Sequence, residues 1–439
     1  FAGVGNRMAD IREYKKMKEQ KSNVVSGKSR FNVQPLPPSA QKGKNAPDDT
    51  EYDDTFDDED YSRQLKLHRI RSVIAGIAVL ALAALGVVYI ISNVDNHTYS
   101  GYTIVNSVTR DDVQNVKYYE FADGYVKCSN DGIIYYDYKG NAIWNQTYEM
   151  KSPQLVTCKE CLAVGDINGS TIYVFNTKGM LGSIDTSLSI SQIDVGGTGL
   201  VAAVLEDTSS NYINMYEPSG EKVYSVKTTL SGDGYPLNIS ISEDMTKLIA
   251  SYVYVSGESI KTNVVFYNFS DVGQNETERV VGGFNHYDST IVPEVDFLSD
   301  TCAIAIGEDV LSIYKIKEFP NLQKEIKLDG NIERVFTSSR YIGILMENKE
   351  SGDNFKLMVY DNSGNKVSET AFNTSYDTIK FDDDSIILYN DNTFTLMNIK
   401  GKQLANLRFD LPVEEILSAG SRGSYMVVNS TYVQEIRLK

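Results

Sequence analysis

Residues 355–367 read FKLMVYDNSGNKV: an alternating strand that ends on Tyr360, a turn closed by Gly364, and the start of another strand. The same design recurs along the chain. Tyr136-Asp-Tyr-Lys-Gly140 leads into Asn-Ala-Ile-Trp144, Phe175-Asn-Thr-Lys-Gly179 into Met-Leu-Gly-Ser-Ile184, and Tyr216-Glu-Pro-Ser-Gly220 and Met397-Asn-Ile-Lys-Gly401 repeat it. Degenerate copies surround Tyr267 (VVFYNFSDVGQ) and Tyr314 (LSIYKIKEFPN). Successive anchors lie 37 to 51 residues apart, with a mean near 44. Four short antiparallel strands with their turns need roughly 40–50 residues, the length of a propeller blade. Helical repeats of that length would show a 3.6-residue period, whereas segments such as TIYVF alternate. A further strand pair precedes each anchor, as in VKYYEFAD-GYVKCSN and RVFTSS-RYIGILME, so each unit reads as strands a, b, c and d.

The chain ends set the blade count. After the seventh anchor come three strands, EEILSAG, SYMVVNS and YVQEIRL, and then Lys439. Tyr102–Thr109 (YTIVNSVT) is a lone strand ahead of the first full unit. Paired beside YVQEIRL it completes an eighth blade and closes the ring, which removes exposed sheet edges. Seven blades are the alternative, if the last three strands merge differently.

Ahead of the repeats, Val73–Ile91 (VIAGIAVLALAALGVVYII) is nineteen uncharged residues, eleven of them Leu, Ile or Val. As a helix it is about 28 Å long at ~1.5 Å per residue, close to the ~30 Å hydrocarbon core. Lys66, Arg69 and Arg71 precede it, and Ser92–Gly101 holds one Asp and no cation, so residues 1–72 are expected in the cytoplasm and the rest outside. About seventy residues come before the run and no A-x-A follows it, so it reads as an uncleaved signal anchor. It holds no small-xxx-small pair, the mark of close helix dimerisation.

The chain is thus read as all-β, a β-propeller over 102–439, preceded by one transmembrane helix at 72–91, a short linker at 92–101, and a disordered cytoplasmic tail at 1–71. The tail is polar and Pro-containing, with an acidic block at Asp48–Asp60 after a basic stretch. The units Tyr136–Trp144 and Tyr360–Val367 resemble blades of quinoprotein-type and WD40-like propellers. With one span ahead of the ring, the layout also resembles an uncharacterised family of membrane-anchored propellers from clostridial gut bacteria. The resemblance implies a fold and a surface location, and no activity.

The net charge is −17, and the tail sums to +2 over 1–71, so the remainder carries −19. That excludes a nucleic-acid binder, whose footprint is basic. Only Trp144 is available where quinone-dependent enzymes of this fold need a Trp in nearly every blade. With His97 in the linker, only His286 could serve a Ser/His/Asp triad, and it reads as a loop residue. Cys128, Cys158, Cys161 and Cys302 are all expected outside the membrane. Cys158 and Cys161 form a C-x-x-C in a hairpin, without the βαβ context of a redox motif; free thiols, a disulfide and a metal site stand as alternatives. Asp382-Asp383-Asp384 fits a polar turn better than a calcium loop. Asn-x-Ser/Thr triplets, as at Asn145 and Asn373, read as chance in an Asn/Ser/Thr-rich chain.

No catalytic, cofactor-binding or metal-ligating residue is assigned, and an enzyme is not expected. The function expected is a non-catalytic protein-interaction scaffold at the cell envelope, held in the bilayer by Val73–Ile91, with a protein partner on one propeller face. The alternative is a sensory module that binds a small molecule or glycan in the channel.

Overall fold

The computed structural model describes residues 58–111, 115–287, 290–348 and 352–439. Of the tail expected over 1–71, residues 1–57 lie outside them.

A single helix spans Asp58–Asp95, longer at both ends than the expected 72–91. Its first fourteen residues, DEDYSRQLKLHRIR, are helical where the sequence reads as disordered tail. They contain no Gly or Pro to interrupt a helix. Within it, Lys66–Ala84 is long and apolar enough to cross a membrane, and none of that stretch is buried against protein. The linker shortens to residues 96–101.

The rest of the chain forms eight four-stranded antiparallel sheets, so the seven-blade alternative is set aside. Seven blades are consecutive: blade 1 covers 117–147, blade 2 153–185, blade 3 189–229, blade 4 235–284, blade 5 294–327, blade 6 332–372 and blade 7 378–408. Blade 8 takes strands from both ends of the ring. Val413–Ser418, Ser424–Asn429 and Tyr432–Leu438 come from the C-terminal end, and Tyr102–Thr109 pairs outside Tyr432–Leu438, from Tyr102↔Leu438 to Thr109↔Tyr432. The closure expected from the lone N-terminal strand is thus the one observed.

Within each blade, strand a lines the channel, strands b and c form the core, and strand d is the rim. The b strands are buried runs such as Val201–Glu206 (VAAVLE) and Cys302–Ile306 (CAIAI), while d strands such as Pro320–Lys327 are exposed along most of their length. Apolar clusters lie between neighbouring sheets. One joins blades 2 and 3 through Val174, Ile184, Ile193 and Leu205; another joins blades 7 and 8 through Ile387, Phe394, Ile416 and Tyr425. Each blade therefore buries its faces against its neighbours, and the closed ring leaves neither sheet face of any blade open.

The recurrent glycine of the c–d turn has a physical cause. Gly140, Gly220, Gly364 and Gly401 all have φ between 78° and 88°, a left-handed conformation that side chains resist. In two of these turns an aspartate locks the loop: Asp137 and Asp361 each accept backbone N–H groups two and four residues on.

Candidate functional site

Polar groups concentrate where the eight a strands meet around the channel. Each of these strands carries apolar side chains toward the sheets, yet five also hold a carboxylate that reaches across to a neighbouring blade. Asp194 accepts from the backbone N–H of Ile241 in blade 4 at 2.8 Å. Asp296 of blade 5 accepts from Ser240 of blade 4 at 3.2 Å and from Thr337 of blade 6 at 2.8 Å. Asp382 of blade 7 accepts from the Tyr425 hydroxyl of blade 8 at 3.0 Å, and Glu120 of blade 1 from the Ser418 N–H at 2.8 Å. Glu415 of blade 8 receives the Tyr389 hydroxyl at 2.6 Å. Acceptors thus sit at the seams, where a misaligned blade would leave them unsatisfied.

Burial raises the proton affinity of Asp194, Asp296 and Asp382. It pushes Asp194 up to about 7 from 3.8, against the pull of its two backbone donors, Ile241 and Val195. Burial also lifts Asp296, Asp382 and Glu294 above the usual carboxylate range. Each folded value lies above the unfolded one, so this contribution to stability is fully present below about pH 4 and is lost as pH rises toward 7. For Asp194 the swing is at most about 4 kcal/mol. The propeller's melting temperature should therefore fall across that range, and Asp194→Asn should flatten the fall. Parallel pH profiles for the two proteins would remove Asp194 as its source.

One polar cluster lies between blades 1, 7 and 8. Lys380 sits 3.2 Å from Glu120 and 3.1 Å from Glu415. With Lys117, Tyr119, Thr157 and Thr378 these groups line a cavity of about 480 Å³. Two carboxylates held by one ammonium leave unused acceptor positions beside tyrosine rings, a lining suited to a hydroxyl-rich or amine-bearing molecule.

The residues singled out in the sequence lie elsewhere. His286, in the turn after blade 4, is 2.9 Å from Glu325 and stacks on Tyr287 at 4.4 Å, with no serine–aspartate pair assembled on it among the described residues. Cys158 and Cys161 pair across a two-residue hairpin turn, and all four thiols are free. Asp384 is 3.0 Å from Arg340 and accepts from the Tyr341 hydroxyl at 3.1 Å, so it is bound up in the turn. No group of three metal-ligating side chains gathers among the described residues. The sequence carries a signal for the seam carboxylates: an acid set among apolar residues in an a strand, as in SISQIDV, EVDFLS and VEEILS.

The two faces of the ring differ in charge. The linker is bonded to the face formed by the a–b and c–d turns: the Tyr99 N–H donates to Leu404 O at 2.7 Å and the Ser100 N–H to Lys439 O at 2.8 Å. On this tether face nine exposed Lys and Arg stand among eleven exposed acids. The opposite face, formed by the b–c and d–a turns, exposes twelve acids and only Lys151 among its described turn residues. Six of the acids, Asp111, Asp131, Glu149, Asp207, Asp233 and Glu258, follow the rim from blade 8 to blade 4. The other six, Glu308, Asp309, Asp329, Asp377, Asp391 and Asp410, continue from blade 5 to blade 7. From the acidic face one hairpin projects. Lys247–Ser256 and Ser259–Asn268 pair to their tips, three residue pairs beyond the flanking strands, and carry Val255, 75% exposed, opposite Ile260.

The fold and its leading helix define an eight-bladed β-propeller behind one candidate membrane span. The chain belongs to a family of unknown function, DUF5711, whose profile matches residues 95–438. No curated protein matches it in sequence. Among solved structures it is similar to BamB from Moraxella catarrhalis, at 12% identity and a TM-score of 0.49, over 77% of this chain and 100% of that one. It is similar to the dihydro-heme d1 dehydrogenase NirN, at 12% identity and 0.46, over 68% and 67%. A third is Chaetomium thermophilum Sqt1 bound to the N-terminus of ribosomal protein L10, at 10% identity and 0.47, over 77% and 99%. These are likenesses of architecture alone.

Proposed function

We propose that this chain is a membrane-anchored, non-catalytic interaction scaffold whose propeller lies outside the cytoplasm and receives a basic protein partner on its acidic face. The carrying observation is the asymmetry of the ring. The tether is bonded to one face, and the opposite face exposes twelve carboxylates against one lysine among its described residues. A surface of one sign raises encounter rates with partners of the other sign and repels like-charged ones. The Val255–Ile260 tip supplies the apolar contact that a polar rim needs to hold a partner. Lys66, Arg69 and Arg71 ahead of the uncharged run Val73–Ile91, with no cation in residues 92–101, favour this orientation.

The test is photo-crosslinking on intact cells with the full chain. Capture should weaken when Asp309, Asp377 and Asp391 are changed to Lys, and persist when Asp123 and Asp383 of the tether face are changed instead. Equal capture by both variants would sink the reading, as would labelling of the propeller only after lysis. A second reading, a channel ligand held near Lys380, Glu120 and Glu415, rests on the cavity they line. A ligand there should raise the melting temperature of the wild-type chain and leave Lys380→Met unmoved.

A further inference from the structure

The exposed large apolar residues of the propeller are unevenly placed. Val108, late in a d strand, is one exception, and Leu230, Val255, Ile260 and Leu411 belong to the acidic face; the rest sit in c–d turns or the first half of d strands. On blades 8, 1 and 2 these are Ile104, Val105, Ile143, Met180 and Leu181, between 40% and 53% exposed. They form a rim sector on the tether face. The neighbouring c–d turns and chain end of blades 7, 8, 1 and 2 carry exposed Lys139, Lys178, Lys400, Lys402 and Lys439, and no exposed acid among their described residues. The exposed acids of that sector, such as Asp123 and Asp383, lie in the a–b turns nearer the channel. The linker is bonded within the same sector, where Lys402 Nζ donates to Asn96 O at 3.1 Å.

From this geometry, and resting on the anchored reading above, we infer that the rim of blades 7, 8, 1 and 2 seats on an anionic lipid surface. Three observations converge on that occupant. Helix Asp58–Asp95 ends six residues before strand Tyr102–Thr109, and six residues reach about 20 Å at most, so an anchored helix keeps this rim near the headgroups. Pairs such as Lys178 with Met180 and Leu181 let an apolar side chain enter the interface while the ammonium stays with phosphate. The acidic face lies at the other end of the blades, where an anionic surface does not repel it. Seated this way, the ring presents its acidic face outward in a fixed orientation.

The experiment uses the full chain in nanodiscs of phosphatidylcholine, with or without phosphatidylglycerol, containing brominated lipid. Tryptophan is introduced at Met180→Trp or, on the acidic face, Val255→Trp, with emission read against the wild-type Trp144 background. Bromines lie within the ~5–10 Å interfacial depth, so Met180→Trp should be quenched roughly twice as strongly as Val255→Trp. Adding Lys139→Glu and Lys178→Glu should abolish the extra quenching that phosphatidylglycerol gives. Equal quenching at the two positions would overturn the inference. So would shielding of Met180→Trp from aqueous acrylamide without bromolipid quenching, which would mark a protein contact. Failure of the chain to float with lipid would instead strike the anchored reading itself.

Discussion

Replacing Tyr425 with Ala should lower the stability of the propeller by about 3–5 kcal/mol, the cost of emptying a buried aromatic site. The ring is 1% exposed, packs 5.3 Å from Phe394, and belongs to the cluster that joins blades 7 and 8. Its hydroxyl is also a donor to Asp382, whose carboxyl burial already raises, so truncation leaves that acceptor with less support. Tyr425→Phe keeps the packing and loses the bond, with an expected cost of about 1–2 kcal/mol. Denaturant unfolding of the detergent-solubilised chain, followed by far-ultraviolet circular dichroism, measures both. If the alanine variant unfolds within about 1 kcal/mol of wild type, blades 7 and 8 are not held by this cluster.

The second large effect is steric. A Cβ on Gly182, in the d strand of blade 2, would stand 2.0 Å from the carbonyl oxygen of Pro218, in the c–d turn of blade 3. The obstacle is backbone, so relief requires the two blades to part. Gly182→Val should cost about 3 kcal/mol or more, at the upper end of overpacking effects. It should also speed amide exchange in 179–185 and 217–221 ahead of the other blades. Gly283, in the d strand of blade 4, has nothing within 4 Å of its Cβ position, and Gly283→Ala should be nearly silent. Equal exchange in both variants would show that this contact does not set the spacing of blades 2 and 3.

These two sites mark where one-dimensional reading stops. The Tyr–Gly turn was legible because a left-handed c–d turn recurs blade after blade and leaves a glycine at the same place in several of them, as at Gly140, Gly220, Gly364 and Gly401. Tyr425 and Gly182 carry no such mark. One is another Tyr in a strand and the other a Gly that could equally have been a turn, and their weight comes from residues 31 to 43 positions away. The start of the helix at Asp58 is hidden in the sequence because a charged stretch resembles a disordered tail, whereas a run without Gly or Pro beside a long apolar segment extends that helix at little cost.

The channel site divides the same way. That a strands hold acids is visible in SISQIDV and VEEILS. That Lys380 should bridge Glu120 and Glu415, from strands nearly three hundred residues apart in sequence, follows only from closing the ring. Sequence alone determined the repeat, the candidate span and the −19 carried beyond it, and narrowed the blade count to eight or seven, because each depends on composition, period or local turn chemistry. Tertiary structure decided how that charge divides between the two faces, and which apolar residues share a rim with lysines. Both depend on alternating turns pointing to opposite ends of a closed sheet ring, a sorting in space that no stretch of sequence displays.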